Sequence, residues 1–173
     1  VNIRHLFLRG SAIAALALSL SACKNMAQAN MDQIISPGAS YAQIEARYGK
    51  PDLVCPLAGG GQRAIWTSQP KGHYAWAANV GADGRIDRMQ ALLTDRHFGK
   101  LVMGWTPEQV RCEFGPPAYI DGVGLPGHTV IVWSYRYLQD GVWNSLMYVY
   151  MGSNGDHVTG YNPGPDPAYE LKD

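Results

Sequence analysis

Residues 104–117 read GWTPEQVRCEFGPP, a short helix with both of its ends written into it. Thr106 is placed to act as N-cap, Pro107 takes the first helical position, and Gln109 follows the cap by three residues. That is a capping box with a proline start. Gly115 fits the positive-φ position after the last turn, and Pro116 and Pro117 prevent continuation. Such a helix has about two turns and cannot stand alone in water. Val110 and Phe114, four residues apart, must therefore pack on something else.

The phrase recurs. Residues 38–51 read GASYAQIEARYGKP, with Ser40 as cap, Gln43 three residues on, Gly49 after the last turn and Pro51 as the stop. Ile44 and Tyr48 repeat the apolar pair. A short, partly apolar segment precedes each helix, at 31–35 and at 95–101, where Thr94 can cap the second. Alternating runs follow each helix, at Arg63–Ser68, His73–Asn79 and Arg85–Leu93, and again at Thr129–Leu138, Val142–Met151 and His157–Tyr161. The turns between them carry Gly72, Gly84, Gly141 and Gly155, in part as Asp-Gly and Asn-Gly, the strongest short hairpin signals. Trp66 and Trp133 take matching places in the first run of each copy.

This pattern predicts an α+β fold of two tandem helix-helix-three-stranded-meander units, 31–93 and 94–161. The units are expected to share one antiparallel sheet with the helices on one face. The glycine-rich stretch after each helix reads as a loop. Residues 162–173, rich in Pro and Gly, read as an extended or disordered tail.

The 173 residues carry no net charge and no basic or acidic run, so nothing points to nucleic acid. Aromatic residues are mostly Tyr and Trp, which suit half-buried, half-wet positions.

Residues 1–22 have the form of a targeting segment. Arg4 and Arg9 precede an apolar run, Ser11 to Leu20, too short for a stable membrane anchor. Leu20-Ser21-Ala22-Cys23 resembles the bacterial lipobox. By that resemblance Cys23 becomes the lipidated first residue of the mature chain, residues 23–30 are a tether, and Lys24 favours the periplasmic face of a Gram-negative outer membrane. In that oxidising compartment Cys55 and Cys112 remain as an even pair and a disulfide candidate. Two small buried thiols are the other reading.

The combination of lipobox and repeat resembles the SmpA/OmlA, or BamE-like, domain of outer-membrane lipoproteins. The matching residues are Gly104, Thr106, Gln109, Val110, Phe114, Gly115, Pro117 and Trp133. A looser copy lies at Gly38, Ser40, Gln43, Ile44, Tyr48, Gly49, Pro51 and Trp66. That family belongs to the machine that inserts β-barrels into the outer membrane, and its members carry one unit where this chain carries two. Tandem units also resemble the architecture of the beta-lactamase inhibitory protein.

No catalytic constellation stands out. His73, His97, His128 and His157 lack metal-ligand spacing. Gly59-Gly60-Gly61 lacks the Lys-Ser/Thr of a phosphate loop, and no nucleophile elbow is present. The aromatic stripe is the candidate binding surface, comprising Trp66, Tyr74, Trp76, Trp133, Tyr135, Tyr137, Tyr148 and Tyr150. Alternation puts Trp133, Tyr135 and Tyr137 on one sheet face. The same rings can equally form the core beneath the helices. The expected function is a non-enzymatic protein-binding or scaffolding module, without cofactor or metal, held to the membrane by lipid and contacting envelope proteins such as outer-membrane assembly components. The alternative is a periplasmic inhibitor of an enzyme such as a hydrolase.

Overall fold

A computed structural model describes residues 29–170. The targeting segment, Cys23 and all but the last two residues of the tether lie outside the described residues. The element order repeats. Helices α1 (Met31–Ile34) and α2 (Tyr41–Tyr48) precede strands β1 (Leu53–Leu57), β2 (Gly61–Thr67), β3 (Ala75–Val80) and β4 (Gln90–Ala91). Helices α3 (Asp95–Phe98) and α4 (Pro107–Phe114) then precede β5 (Tyr119–Leu125), β6 (His128–Gln139), β7 (Trp143–Tyr150) and β8 (Gly160–Pro165).

Three expectations about the fold are corrected here. Each unit has four strands rather than three. The strands form two separate antiparallel meanders, β1-β2-β3-β4 and β5-β6-β7-β8, not one shared sheet. The helices do not all lie on one face.

Alternation explains the layering. On β2 and β3, Ala64, Trp66, Trp76 and Ala78 pack with Met31, Ile44 and Tyr48 of α1 and α2. Their neighbours Ile65, Ala75 and Ala77 point the other way, into a cluster with Phe98, Val110 and Phe114. Trp133, Tyr135, Tyr137, Met147 and Val149 of the second sheet close that cluster from its far side. The order of layers is thus α1/α2, first sheet, α3/α4, second sheet. A sheet buried on both faces cannot also present a continuous partner-binding face, and α4 has two sheets to satisfy rather than one.

The missing strands are the ones a glycine-rich or proline-bearing sequence disguises. In β1, Leu-Val-Cys-Pro-Leu carries a proline, tolerated because β1 is an edge strand. β5 carries Gly122 and Gly124 and is also an edge. What sends the chain into them is the residue after each helix. Gly49 (φ 86°, ψ 171°) and Gly115 (φ 84°, ψ −177°) combine positive φ with extended ψ, a region essentially restricted to glycine. The helix stops and the chain turns straight into an edge strand.

β8 runs into the segment read as a tail. Asp166 N–H donates to Asn144 O, 3.2 Å. Donors alternate along a strand, so Gly164, Asn162 and Gly160 share that direction. Pro163 and Pro165, out of step, direct their nitrogens away from β7, where a missing N–H costs no ladder bond.

The hydrogen bonds also revise the internal alignment. Asp52 N–H donates to Ile65 O (2.8 Å) and Ala118 N–H to Ser134 O (2.8 Å), which makes Ile65 and Ser134 counterparts. Tyr135, not Trp133, therefore stands where Trp66 stands. Both rings reach back to the post-helix glycine: Trp66 Nε1 donates to Gly49 O (2.9 Å) and Tyr135 Oη to Gly115 O (3.1 Å).

Candidate functional site: the tyrosine face of the second sheet

Five of the eight aromatic candidates are core. Trp66, Trp76, Trp133, Tyr135 and Tyr137 are each at most 3% exposed, so none can meet a partner in the folded protein. Their polar ends are used internally. Tyr137 Oη donates to Asp95 Oδ1 at 3.1 Å, and the Arg111 guanidinium lies 5.0 Å from the Trp133 ring centre. Burial pushes the Tyr135 phenol well above its ordinary range. Tyr74 packs half-buried against the first core.

Tyr148 and Tyr150 remain, on the face of β7 that points away from α4. The register sets Tyr148 opposite Ser134 on β6 and Asn162 on β8, and Tyr150 opposite Val132 and Gly160. Tyr119 on β5 lies across Ser134 from Tyr148. A Cβ added at Gly164 would lie 2.9 Å from Tyr148 Cε2, so the tyrosine ring lies flat over β8 where that residue has no side chain. Gly164 thus makes the room that the Tyr148 ring occupies.

At one end of this face stands Arg136, 6% exposed, its guanidinium held by three partners through four hydrogen bonds. Its Nε and Nη2 donate to the Asp166 carboxylate, its Nη1 to Pro70 O (2.6 Å) and its Nη2 to Tyr119 Oη (3.1 Å). The Tyr119 and Tyr169 rings flank it at 5.6 and 5.7 Å. Gln69 bonds the Arg136 backbone through both ends of its amide, 2.7 Å to O and 3.1 Å from N. The β2–β3 turn of the first unit is thus pinned to the outer face of the second sheet. Burial and the Arg136 charge both hold the nearby His73 imidazole below its usual range.

Sequence reasoning missed Arg136, Asp166, Tyr119 and Tyr169. A charged residue between Tyr135 and Tyr137 was the available signal, since an Arg flanked by core positions needs a partner. Its partner lay in the segment read as tail.

The histidines are dispersed. His97 is buried against Glu113 (Nε2 to Oε1, 3.0 Å), and exposed His157 pairs with Asp156 (2.6 Å). Among the described residues no group of three or more His, Cys, Asp or Glu is placed to hold a metal ion, and no helix is long and apolar enough to cross a membrane. Cys55 and Cys112 form a disulfide, with Cα atoms 5.8 Å apart, that ties β1 to α4 across the junction of the units.

No family model matches the chain, and no curated protein matches it. Among solved structures it is similar to a DUF4309 family protein (YjgB) from Bacillus subtilis. The likeness is 18% identical over 69% of this chain and 76% of that one, with a TM-score of 0.25, too slight to carry fold or function.

Proposed function

We propose that the protein is a non-enzymatic protein-binding module of the bacterial envelope, tethered by lipid on Cys23 to the periplasmic face of the outer membrane. Its partners are envelope proteins, outer-membrane assembly components among them. The observation that carries the binding role is the outer face of the second sheet, where Tyr119, Tyr148 and Tyr150 share one face and Arg136 fixes Tyr119 at its end. Tyrosine is among the residues most enriched at interface hot spots, and a ring already held flat loses little freedom on binding. The Cys55–Cys112 bond supports an oxidising compartment. The lipobox and the resemblance to BamE-like domains support the envelope location.

A photo-cross-linking residue in place of Tyr150, used in intact cells, tests the binding face. The expected result is one or a few envelope proteins cross-linked there, and their loss when Tyr148→Ala is added. An unchanged cross-link pattern in that variant, or none in the parent, removes the reading. Cys23→Ala tests the anchor, with release of the protein from the membrane fraction as the expected outcome.

A further inference from the structure

The disulfide has a second property besides joining the units. Its two sulfurs sit in unequal surroundings. Cys55 is 4% exposed on β1, whereas Cys112 on α4 is only half-buried. Both line a cleft of about 280 Å³ with Arg63, Trp105, Gln109 and Glu113. Cys55 is paired in register with Arg63 on β2, and paired side chains share one face with Cβ atoms about 5 Å apart.

Arg63 is itself unusual. It is 9% exposed, and its Nε is buried without a hydrogen-bond acceptor. Its other nitrogens reach Asn79 (3.3 Å), Gln90 (3.4 Å) and, at 4.0 Å, the Glu113 carboxylate. Glu113 is also claimed by His97 and Lys100, each at 3.0 Å. The charges facing the cleft and just behind it are therefore Arg63 from β2, Lys100 and His97 from the α3 side, and Glu113 from α4. One carboxylate is shared among several cationic or donating groups, and the guanidinium beside Cys55 keeps an unused donor.

We propose that Cys55–Cys112 is a thiol–disulfide exchange site for small thiols and dithiols, with Cys112 the attacked sulfur and Cys55 the leaving one. An incoming thiolate enters by the cleft and bonds to Cys112 Sγ. The Sγ–Sγ bond breaks, and its electron pair leaves on Cys55 Sγ. The Arg63 charge stabilises that thiolate, and a better-stabilised leaving thiolate departs faster. A second thiolate, from the same dithiol or another small thiol, then attacks the mixed disulfide at the reagent's sulfur and releases the Cys112 thiolate. The reductant leaves as its own disulfide, and the two protein thiolates take up protons. Two electrons pass from the reductant to the protein. The reverse sequence recloses the bond with a small-molecule disulfide. Opening it detaches β1 from α4 and leaves the packing of Phe114 and Ile65 in place.

The test uses the folded protein. Brief exposure to glutathione, an acid quench and alkylation, followed by peptide mass analysis, should place glutathione on Cys112 and the alkyl group on Cys55. Arg63→Gln should slow this exchange about three- to tenfold, and Arg63→Lys should restore most of it. Circular dichroism must show each variant folded. The site assignment does not depend on the variants, because it is read on the parent protein. Glutathione on Cys55, or exchange that appears only in denaturant, overturns the proposal. An unchanged rate in folded Arg63→Gln removes the role given to Arg63.

Discussion

The first sheet has apolar side chains on both faces: Ala64 and Trp66 toward α1 and α2, Ile65 and Ala77 toward α3 and α4. The second sheet has the same strand order and an apolar inner face, but its outer face mixes Val132 and Leu146 with Ser134, Arg136, Tyr148 and Tyr150. One topology thus serves two purposes. A sheet between two helical layers becomes a structural wall. A sheet at the end of the stack has a face free to specialise, and the cost of placing an arginine there is met by Asp166, Pro70 and Tyr119.

The largest expected effect tests that specialised face. Asp166→Ala leaves the Arg136 charge buried without its carboxylate, and should cost about 3–5 kcal/mol in urea denaturation. A loss below about 1 kcal/mol would mean that the C-terminal segment does not close this face, and that the contrast between the sheets is misdrawn.

Phe114→Ala asks whether α4 belongs to both sheets. It stacks on Phe98 (5.1 Å) and lies near Tyr135 (6.1 Å), and Gly115 beside it abuts Ile65. Truncation should cost about 3–5 kcal/mol. Probes in the first sheet (Trp66, Trp76) and in the second (Trp133) should lose structure in one transition. Two separate transitions would make the units independent domains.

The Cys55→Ala, Cys112→Ala double variant tests the same junction covalently. Closing a loop across the 57-residue separation is worth about 4 kcal/mol in the chain-entropy picture. The loss should appear as a lower urea midpoint, with the secondary structure retained.

The elements most legible in the sequence were those with local rules. The capping box at Thr106, the glycines after α2 and α4 and the four Gly-bearing turns follow from single residues and short spacings. The sheets were less legible, because pairing is non-local and edge strands escape composition rules. β1 has Pro56, β5 has two glycines, and β8 has prolines that fit only because their nitrogens point away from β7. Alternation correctly put Trp133, Tyr135 and Tyr137 on one face, but could not say that α4 covers it. Of the candidate site, Tyr148 and Tyr150 were visible in the sequence. Arg136 and Asp166, thirty residues apart, needed the fold.

A smaller effect concerns acid. Burial alone would raise the Glu113 pKa, but hydrogen bonds from His97 and Lys100 and the Arg63 charge hold it down, from 4.5 to about 2. A carboxyl depressed on folding stabilises the native state above its unfolded pKa, and that contribution fades as pH falls from about 4.5 toward 2. Glu113→Gln should therefore flatten the acid limb of the stability profile in this window. The first unit has no matching cluster, so an equally steep acid loss in the variant would place the responsible carboxylate elsewhere.

The two helix starts give the finest comparison, because the sequence reads them as equivalent. At α4 the capping box forms: Thr106 Oγ1 accepts from Gln109 N–H (3.3 Å) and Gln109 Oε1 from Thr106 N–H (2.8 Å). At α2, Ser40 makes no side-chain cap bond. The β3–β4 turn takes over there. Tyr41 N–H donates to Gly84 O (3.0 Å), and Arg85 Nη1 reaches Gly38 O (2.8 Å). Ala39 and Gly38 exchange bonds with Ile86 through Ile86 N–H to Ala39 O (3.0 Å) and Gly38 N–H to Ile86 O (2.9 Å). The same exchange recurs in the second unit, Gly104 N–H to Val158 O (2.7 Å) and Val158 N–H to Trp105 O (2.8 Å), so what is peculiar to α2 is the Gly84 carbonyl that takes the Tyr41 N–H, and the serine hydroxyl is surplus to it. Thr106→Ala should therefore cost about 1 kcal/mol, while Ser40→Ala should stay within a few tenths. Equal losses at both sites would show that the motif, not its surroundings, sets the helix start. A gap between them locates the difference in the turn at 81–84, whose Gly84 carbonyl takes the Tyr41 N–H, a donor that Pro107 lacks at the matching position of the second unit.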